Sequence, residues 1–170
     1  MSELNLDRVI FVPSFHTPLK SKETLLPATL RIKLLKTALK KLPDFSVSLC
    51  EMKRKGVSFT VDTLKLFKRK FGKGAQLFFL CGADTLKNWP RWKSKDKVLE
   101  LCHFVVMTRP GYRPKRLPAQ AHFMPFDALP VSSSVIRNRL KQHKSIRALV
   151  PPETARLLTR YYRNTKGASY

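Results

Sequence analysis

The chain has 170 residues, of which 43% are hydrophobic. This length suits one domain with a substantial core, and this apolar content excludes a chain that is disordered throughout. Lys and Arg number 34 against 11 Asp and Glu, which leaves a formal net charge of +23. Such a charge favours anionic partners (nucleotides, nucleic acid or acidic lipid), although a solvated basic surface explains it equally well.

Targeting signals and membrane segments are not evident. Residues 1–7 carry neither a basic leader nor an apolar signal core, and no apolar run approaches the roughly 20 residues that span a bilayer. The three cysteines, Cys50, Cys81 and Cys102, are odd in number and lie in or beside strand-like runs. Buried thiols in a reducing compartment are therefore expected, rather than disulfides or a metal cluster, and we predict a cytoplasmic protein.

The first half of the chain alternates between strand-like and helical patterns. A continuous apolar run over 8–13 predicts a strand that is buried on both faces, and a polar loop follows over 14–26. Apolar residues at helical spacing over 30–42 predict an amphipathic helix. A second strand is predicted over 45–49 and a second helix over 61–71.

The alternation continues to the C-terminal end. Apolar runs over 77–81 and 103–107 predict buried strands, and 122–126 is a weaker strand prediction. Serines open a predicted helix over 132–140, where their hydroxyl groups would cap free N–H groups. Two prolines open a last helix, which we expect to run from 151 to about 162.

This order of elements predicts an α/β fold with a doubly wound, mostly parallel sheet, of the Rossmann-like kind. We expect one domain over residues 1–162 and a polar tail over 163–170. Ligands of such sheets bind beyond the carboxyl ends of the strands, so the residues that follow each strand are the first candidates for a site.

Gly82 and Asp84 directly follow the strand over 77–81. A glycine there lets a ligand approach the backbone, and a carboxylate accepts hydrogen bonds from ribose hydroxyls. Locally, a turn in which Asp84 is the N-cap of a helix is as good an interpretation.

A second candidate is the serine cluster at 132–134, because hydroxyl groups, free N–H groups and a helix dipole converge there. Ser132 and Ser133 would contact an anion, and Arg137, one turn further, would add a charge-assisted contact. The alternative is a capped surface helix with a solvated arginine.

Aromatic and capping residues supply a third group of candidates. Trp92 lies in a loop after a strand, where an indole can stack on a heteroaromatic ring, although packing explains it as well. Phe59 and Thr60 precede a helix, so Thr60 is either an N-cap or part of a helix N-terminus offered to a carboxylate. The histidines show no metal-ligand spacing, so any bound Mg²⁺ would be held mainly by the phosphates of a ligand.

Several segments together resemble one known family. Residues 51–64 (EMKRKGVSFTVDTL) are similar to the stretch E-x-K-R-x-G-x-S-Y-T-x-x-T-L, and residues 131–140 (VSSSVIRNRL) to the signature I-S-S-T-x-I-R. In order and spacing, further matches are residues 8–20, 82–84, Trp92, 109–111 and 145–151. These features resemble the bacterial nicotinate-mononucleotide adenylyltransferases of the nucleotidyltransferase superfamily.

The resemblance implies adenylyl transfer from ATP to nicotinate mononucleotide, which forms nicotinate adenine dinucleotide in NAD biosynthesis. It implies that Trp92 stacks on the pyridine ring and that the Phe59–Thr60 backbone approaches its carboxylate. Gly82 and Asp84 would line the nucleotide pocket. The residues implied in phosphate binding are Lys20, Ser132, Ser133 and Arg137.

The chain departs from the family pattern in three places. Leu19 stands where the family often has histidine, and Lys93 where an aromatic residue commonly follows the tryptophan. The first strand of the family and its phosphate loop, G-G-[ST]-F-[DN]-P-x-H-x-G-H, have no counterpart in residues 1–170. We therefore expect the natural start to lie upstream of Met1, and residues 1–170 alone to turn over at least roughly 10²-fold more slowly than full-length relatives. Replacement of a lost histidine by His16 is a weaker alternative.

Two other functions compete with this one. A pantetheine-phosphate adenylyltransferase belongs to the same superfamily, but the 51–64 stretch and Trp92 are typical of the nicotinate pocket. A basic nucleic-acid-binding protein that keeps the fold without catalysis would explain the charge. Against it, aromatic residues are not interleaved with the basic ones.

Overall fold

The computed structural model describes residues 2–18, 26–108, 118, 120–126 and 131–166. The strands, in chain order, are β1 (Val9–Phe11), β2 (Phe45–Val47), β3 (Phe78–Gly82), β4 (His103–Thr108) and β5 (Ala121–Pro125). The α-helices are α1 (Ala28–Leu39), α2 (Cys50–Arg54), α3 (Thr60–Phe71), α4 (Lys95–Leu101), α5 (Ser133–Lys141) and α6 (Pro152–Lys166). Short 3₁₀ segments span Ser2–Leu4 and Ala83–Arg91.

The described residues form two compact units. Unit 1 contains β1, α1, β2, α5 and α6. Its two strands pair in parallel, with Val9 opposite Phe45. Its core consists of the buried residues Leu140, Ile146, Ala155 and Leu158.

Unit 2 contains the loop over 14–18, α2, α3, β3, the second 3₁₀ segment, α4, β4 and β5. Its three strands are parallel, in the order β3-β4-β5, with Phe79 opposite Phe104. Helices α3 and α4 pack together. Their apolar residues and those of the strands share one core, formed by Val61, Leu64, Cys81, Val98, Phe104 and Val106.

The predicted α/β class is confirmed, because every strand pair in the described residues is parallel and helices alternate with strands. All five predicted strands are present within two residues of their expected ends. Within the described residues β1 hydrogen-bonds only to β2 among the strands, and β3 only to β4. The single domain over 1–162 stays a prediction.

The short helical elements were not predicted. Helices α2 and α4 are rich in charged residues and carry little apolar periodicity, whereas in the 3₁₀ segment Ala83–Arg91 the residues packed on the core, Ala83, Leu86 and Trp89, recur every three positions rather than at the α-helical spacing. The last helix also runs to Lys166, four residues beyond its predicted end. No helix in the described part of the chain is long and apolar enough to cross a membrane.

Candidate functional site

The N-terminus of α3 has no side-chain cap. The residue in the N-cap position is Phe59, with an extended backbone (φ −102°, ψ 132°), and Thr60 is already the first helical residue. The alternative interpretation of Thr60 as an N-cap is therefore wrong, because a capping hydroxyl must come from the extended residue itself. The Asp62 and Thr63 N–H groups donate to the Phe59 carbonyl over 3.1 and 3.4 Å, which leaves the N–H groups of Thr60 and Val61 without an acceptor among the described residues.

A buried polar network holds the start of α3 in place. The Thr63 hydroxyl donates to Glu51 Oε1 over 2.6 Å, and both residues are only 7% exposed. Arg54 adds a contact of 3.4 Å from Nη2 to the Thr63 hydroxyl and lies 4.0 Å from the Glu51 carboxylate. Helix α2 is thereby fixed against α3, which gives a structural reason for the acidic, basic and hydroxyl residues of the 51–64 stretch.

The loop over 14–18 is attached to the same stretch. The Phe15 N–H donates to Ser58 Oγ over 3.0 Å, and the Ser58 N–H donates to the His16 carbonyl over 2.8 Å. His16 also forms a parallel bridge with Val57. These bonds restrain the residues directly before Phe59, while a catalytic part for the His16 side chain stays a prediction.

Trp92 belongs to an aromatic cluster in unit 2. Its ring centroid lies 5.3 Å from that of Trp89, 5.7 Å from Phe79 and 6.1 Å from Phe104. Such tilted and edge-on contacts are the favoured geometries of aromatic pairs. The packing interpretation is therefore correct, yet Trp92 remains only half-buried, so part of the indole is still accessible to a flat ligand.

Lys93 follows Trp92 in the chain, and its side chain contacts two residues at the start of α3. Its ammonium lies 4.4 Å from the centroid of the Phe59 ring and 3.7 Å from the Asp62 carboxylate. Ser94, next in the chain, has a left-handed backbone (φ 48°, ψ 48°) and precedes α4. The sequence marks Lys93 as a departure from the family pattern but does not reveal these contacts, because residues 59 and 93 lie far apart in the chain.

Gly82 and Asp84 lie at the carboxyl end of β3, as predicted. The N-cap of the following 3₁₀ segment is Gly82, without a side-chain cap, so the alternative of Asp84 as an N-cap is wrong. The Asp84 carboxylate folds back over the glycine: a Cβ at position 82 would lie 2.8 Å from Asp84 Oδ1. A side chain at 82 would therefore displace the exposed carboxylate.

The cysteines are free thiols, and Cys81 is buried while the other two are half-buried. Burial raises the pKa of Cys81 to about 12, and the nearby charges of Asp84 and Cys102 raise it further. Burial likewise raises the pKa of Cys102 to about 11, and its thiol donates to the Val98 carbonyl. Both are neutral, structural thiols at physiological pH.

The serine cluster of unit 1 caps α5 as predicted. Ser132 Oγ accepts the N–H of Val135 over 3.2 Å, and Ser133 begins the helix. The half-buried Arg137 turns back toward the same helix end, since its Nη2 donates to Ser134 Oγ over 3.2 Å. Hydroxyl groups, helix N–H groups and a guanidinium therefore lie together, an arrangement suited to an anion.

Other basic residues of unit 1 surround a cavity of about 800 Å³ behind the C-terminal end of α5. Its charged lining residues are Lys144, Arg147, Arg156, Arg160 and Arg163. One of these charges is offset by an ion pair between Arg156 and Glu153.

Some predicted residues lie outside the described part of the chain, namely Leu19, Lys20 and the 109–111 turn. No three His, Cys, Asp or Glu side chains converge within the described ranges.

The fold defines a class of protein, that of the Rossmann-like nucleotidyltransferases. A family model described as cytidylyltransferase-like matches residues 1–139. A solved structure of Plasmodium falciparum nicotinic acid mononucleotide adenylyltransferase complexed with NaAD superposes with a TM-score of 0.70. It is 17% identical, and the match covers 95% of this chain and 86% of that one, which supports the fold alone.

Closer relatives come from sequence. A protein of Clostridium novyi is 38% identical over 167 residues, which cover 92% of this chain and 82% of the relative. A protein of Moorella thermoacetica is 38% identical over 160 residues, with 88% and 74% covered. Both are named probable nicotinate-nucleotide adenylyltransferase. The chain belongs to this family within the cytidylyltransferase-like proteins, and the resemblance drawn from its motifs is confirmed.

Proposed function

We propose that this protein transfers the adenylyl group of ATP to nicotinate mononucleotide, forming nicotinate adenine dinucleotide and pyrophosphate in NAD biosynthesis. The observation that carries the proposal is in unit 2, where the uncapped start of α3 and the half-exposed indole of Trp92 adjoin the same core cluster. Free N–H groups suit the carboxylate of nicotinate, and the indole suits its pyridine ring.

The reaction needs no covalent bond to the protein. A phosphate oxygen of nicotinate mononucleotide attacks the α-phosphorus of ATP, the bond from that phosphorus to the bridging oxygen breaks, and pyrophosphate leaves with the electron pair. Catalysis then consists of positioning the two phosphates and stabilising the charge that develops on them. Mg²⁺, held mainly by the ATP phosphates, would supply part of that charge stabilisation.

We assign the following roles to the residues that were named from the sequence. Trp92 covers the pyridine ring and the Phe59–Thr60 backbone binds its carboxylate. Gly82 lets the nucleotide approach the backbone at the end of β3, and Asp84 accepts from its hydroxyl groups. The residues that bind phosphates are Ser132, Ser133, Arg137 and Lys20.

Cysteines that are free thiols suit a reducing compartment, so we assign the protein to the cytoplasm. The nucleic-acid-binding alternative is not favoured, because the relatives are named as adenylyltransferases. The basic cavity of unit 1 is its one structural support.

The test is product formation from ATP and nicotinate mononucleotide, with 4′-phosphopantetheine as the competing acceptor. Trp92→Leu should raise KM for nicotinate mononucleotide roughly 2- to 10-fold, because the free energy of one aromatic contact corresponds to a change of that size. KM for ATP should stay unchanged. Trp89→Leu removes a neighbour in the same aromatic cluster and serves as the matched control. Adenylylation of phosphopantetheine in place of the nicotinate substrate would overturn the proposal.

A further inference from the structure

The contacts of Lys93 place a positive charge at the start of α3. The ammonium lies over the Phe59 ring at 4.4 Å, and Phe59 is the N-cap residue of that helix. Asp62, in the first turn of the same helix, lies 3.7 Å away. A lysine charge at a helix N-terminus is unfavourable by itself, because the helix dipole is positive there. Its position is therefore maintained by the aromatic ring and the carboxylate.

The ammonium keeps the capacity to bind a further anion. At 3.7 Å its contact with Asp62 is longer than a hydrogen bond, and the Lys93 side chain is 50% exposed. An ammonium has three donors, whereas a π face and one distant carboxylate satisfy few of them. Asp62 thus orients the charge without neutralising every donor.

We infer that Lys93 is a specificity-determining residue, which makes the site prefer a pyridine ring with a carboxylate over one with a carboxamide. The inference rests on the proposed function. Lys93 directly follows Trp92, the proposed ring-stacking residue, and its ammonium lies over the side chain of Phe59, whose backbone with that of Thr60 is the proposed carboxylate position. An anionic substituent there gains the attraction of a full charge, while a neutral amide gains only a hydrogen bond.

The experiment compares nicotinate mononucleotide with nicotinamide mononucleotide in wild type and three variants. Lys93→Met removes the charge and keeps the length of the chain, and Lys93→Arg keeps the charge. Lys70→Met is the matched control, since Lys70 makes the other lysine–ring contact of α3, 5.3 Å from the Phe71 centroid at the opposite end of the helix.

Binding is read from intrinsic fluorescence, because the only two tryptophans of the chain, Trp89 and Trp92, are both in the aromatic cluster. The ratio of the two Kd values is the primary quantity, and kcat/KM for each nucleotide is the second. We expect Lys93→Met to lower the preference for the acid at least tenfold, or 1.4 kcal/mol, through weaker binding of the nicotinate form alone. Lys93→Arg and Lys70→Met should keep the wild-type ratio.

The outcomes separate the two proposals. If the wild type prefers the nicotinate form and Lys93→Met retains that preference, the assignment of Lys93 is wrong while the proposed function stands. If Lys93→Met weakens both nucleotides equally, the residue supports the fold of the site and does not discriminate between substrates. If the wild type binds and converts neither nucleotide, both proposals fall.

Discussion

The buried contact between Thr63 and Glu51 should be a main source of stability in unit 2. Thr63→Val keeps the shape of the side chain but removes the hydroxyl that donates to the carboxylate over 2.6 Å. The carboxylate of the buried Glu51 would retain Arg54 at 4.0 Å. Because a hydrogen bond to a charged group is worth about 1.5–3 kcal/mol, we expect a loss of about 2 kcal/mol in the free energy of unfolding.

The measurement is urea unfolding followed by tryptophan fluorescence, which reports on unit 2. With a slope of about 2 kcal/mol per M, the midpoint should fall by about 1 M. Thr108→Val is the matched control within unit 2, because the Thr108 hydroxyl is also buried but has no hydrogen-bond partner in the described residues. Its midpoint should stay unchanged or rise. Equal midpoints for wild type and Thr63→Val would show that the hydroxyl does not hold the carboxylate.

Thr63→Val should also affect substrate binding at the proposed nicotinate site. Thr63 lies one turn into α3, so the loss of its anchor loosens the helix start that is expected to bind nicotinate. KM for nicotinate mononucleotide should therefore rise in Thr63→Val under conditions in which the protein is fully folded. A normal KM in a clearly destabilised variant would separate the stability role of the network from a positioning role.

Four further predictions concern the nucleotide contacts and the thiols. Arg137→Met should raise KM for ATP roughly 10-fold or more, which corresponds to the free energy of one charge-assisted hydrogen bond. Arg139→Met is the control: it removes a hydrogen bond to the carbonyl of a loop residue and should leave KM for ATP unchanged. Gly82→Ala should also raise KM for ATP, because its Cβ would lie 2.8 Å from the neighbouring aspartate oxygen; an unchanged KM would contradict a close approach there. Alkylation at pH 8 should spare Cys81 and Cys102 in the folded protein. Folding raises the pKa of both thiols, so the folded state keeps their protons more tightly than the unfolded state. Their contribution to the free energy of unfolding should therefore be complete below pH 9.0, the ordinary thiol pKa, and decline as the pH rises toward 11 to 12. Unfolding midpoints that do not fall over that interval would refute this prediction.

The sequence predicts those parts of the fold whose determinants are local. The strands over 77–81 and 103–107 are continuous apolar runs, and the cap at Ser132 depends on a hydroxyl three residues from its donor. The short helix α2 escapes prediction because it is held by the buried bond to Thr63 rather than by apolar periodicity. Capping at Thr60 was wrong by one residue, since the extended conformation falls at Phe59.

In the candidate site, too, the residues with local determinants are predictable from the sequence and the long-range contacts are not. Gly82, Trp92 and the serine cluster are recognisable from their places after strands and before helices, so the sequence names them. The contact of Lys93 with Phe59 joins segments more than thirty residues apart and depends on how α3 packs against its neighbours. No periodicity or spacing in the chain predicts this contact. The departure from the family pattern at Lys93 is the one feature of the sequence that marks the position as unusual.

The left-handed backbone at Ser94 turns the main chain from Lys93 into α4. Residues other than glycine and asparagine seldom take this conformation, and β-branched residues are strained in it. If Lys93 selects the substrate, position 94 is one at which a substitution can change substrate choice without altering a group that touches substrate. A relative that carries valine or isoleucine there would have to turn its chain differently between the lysine and α4, which would shift the segment that carries the lysine.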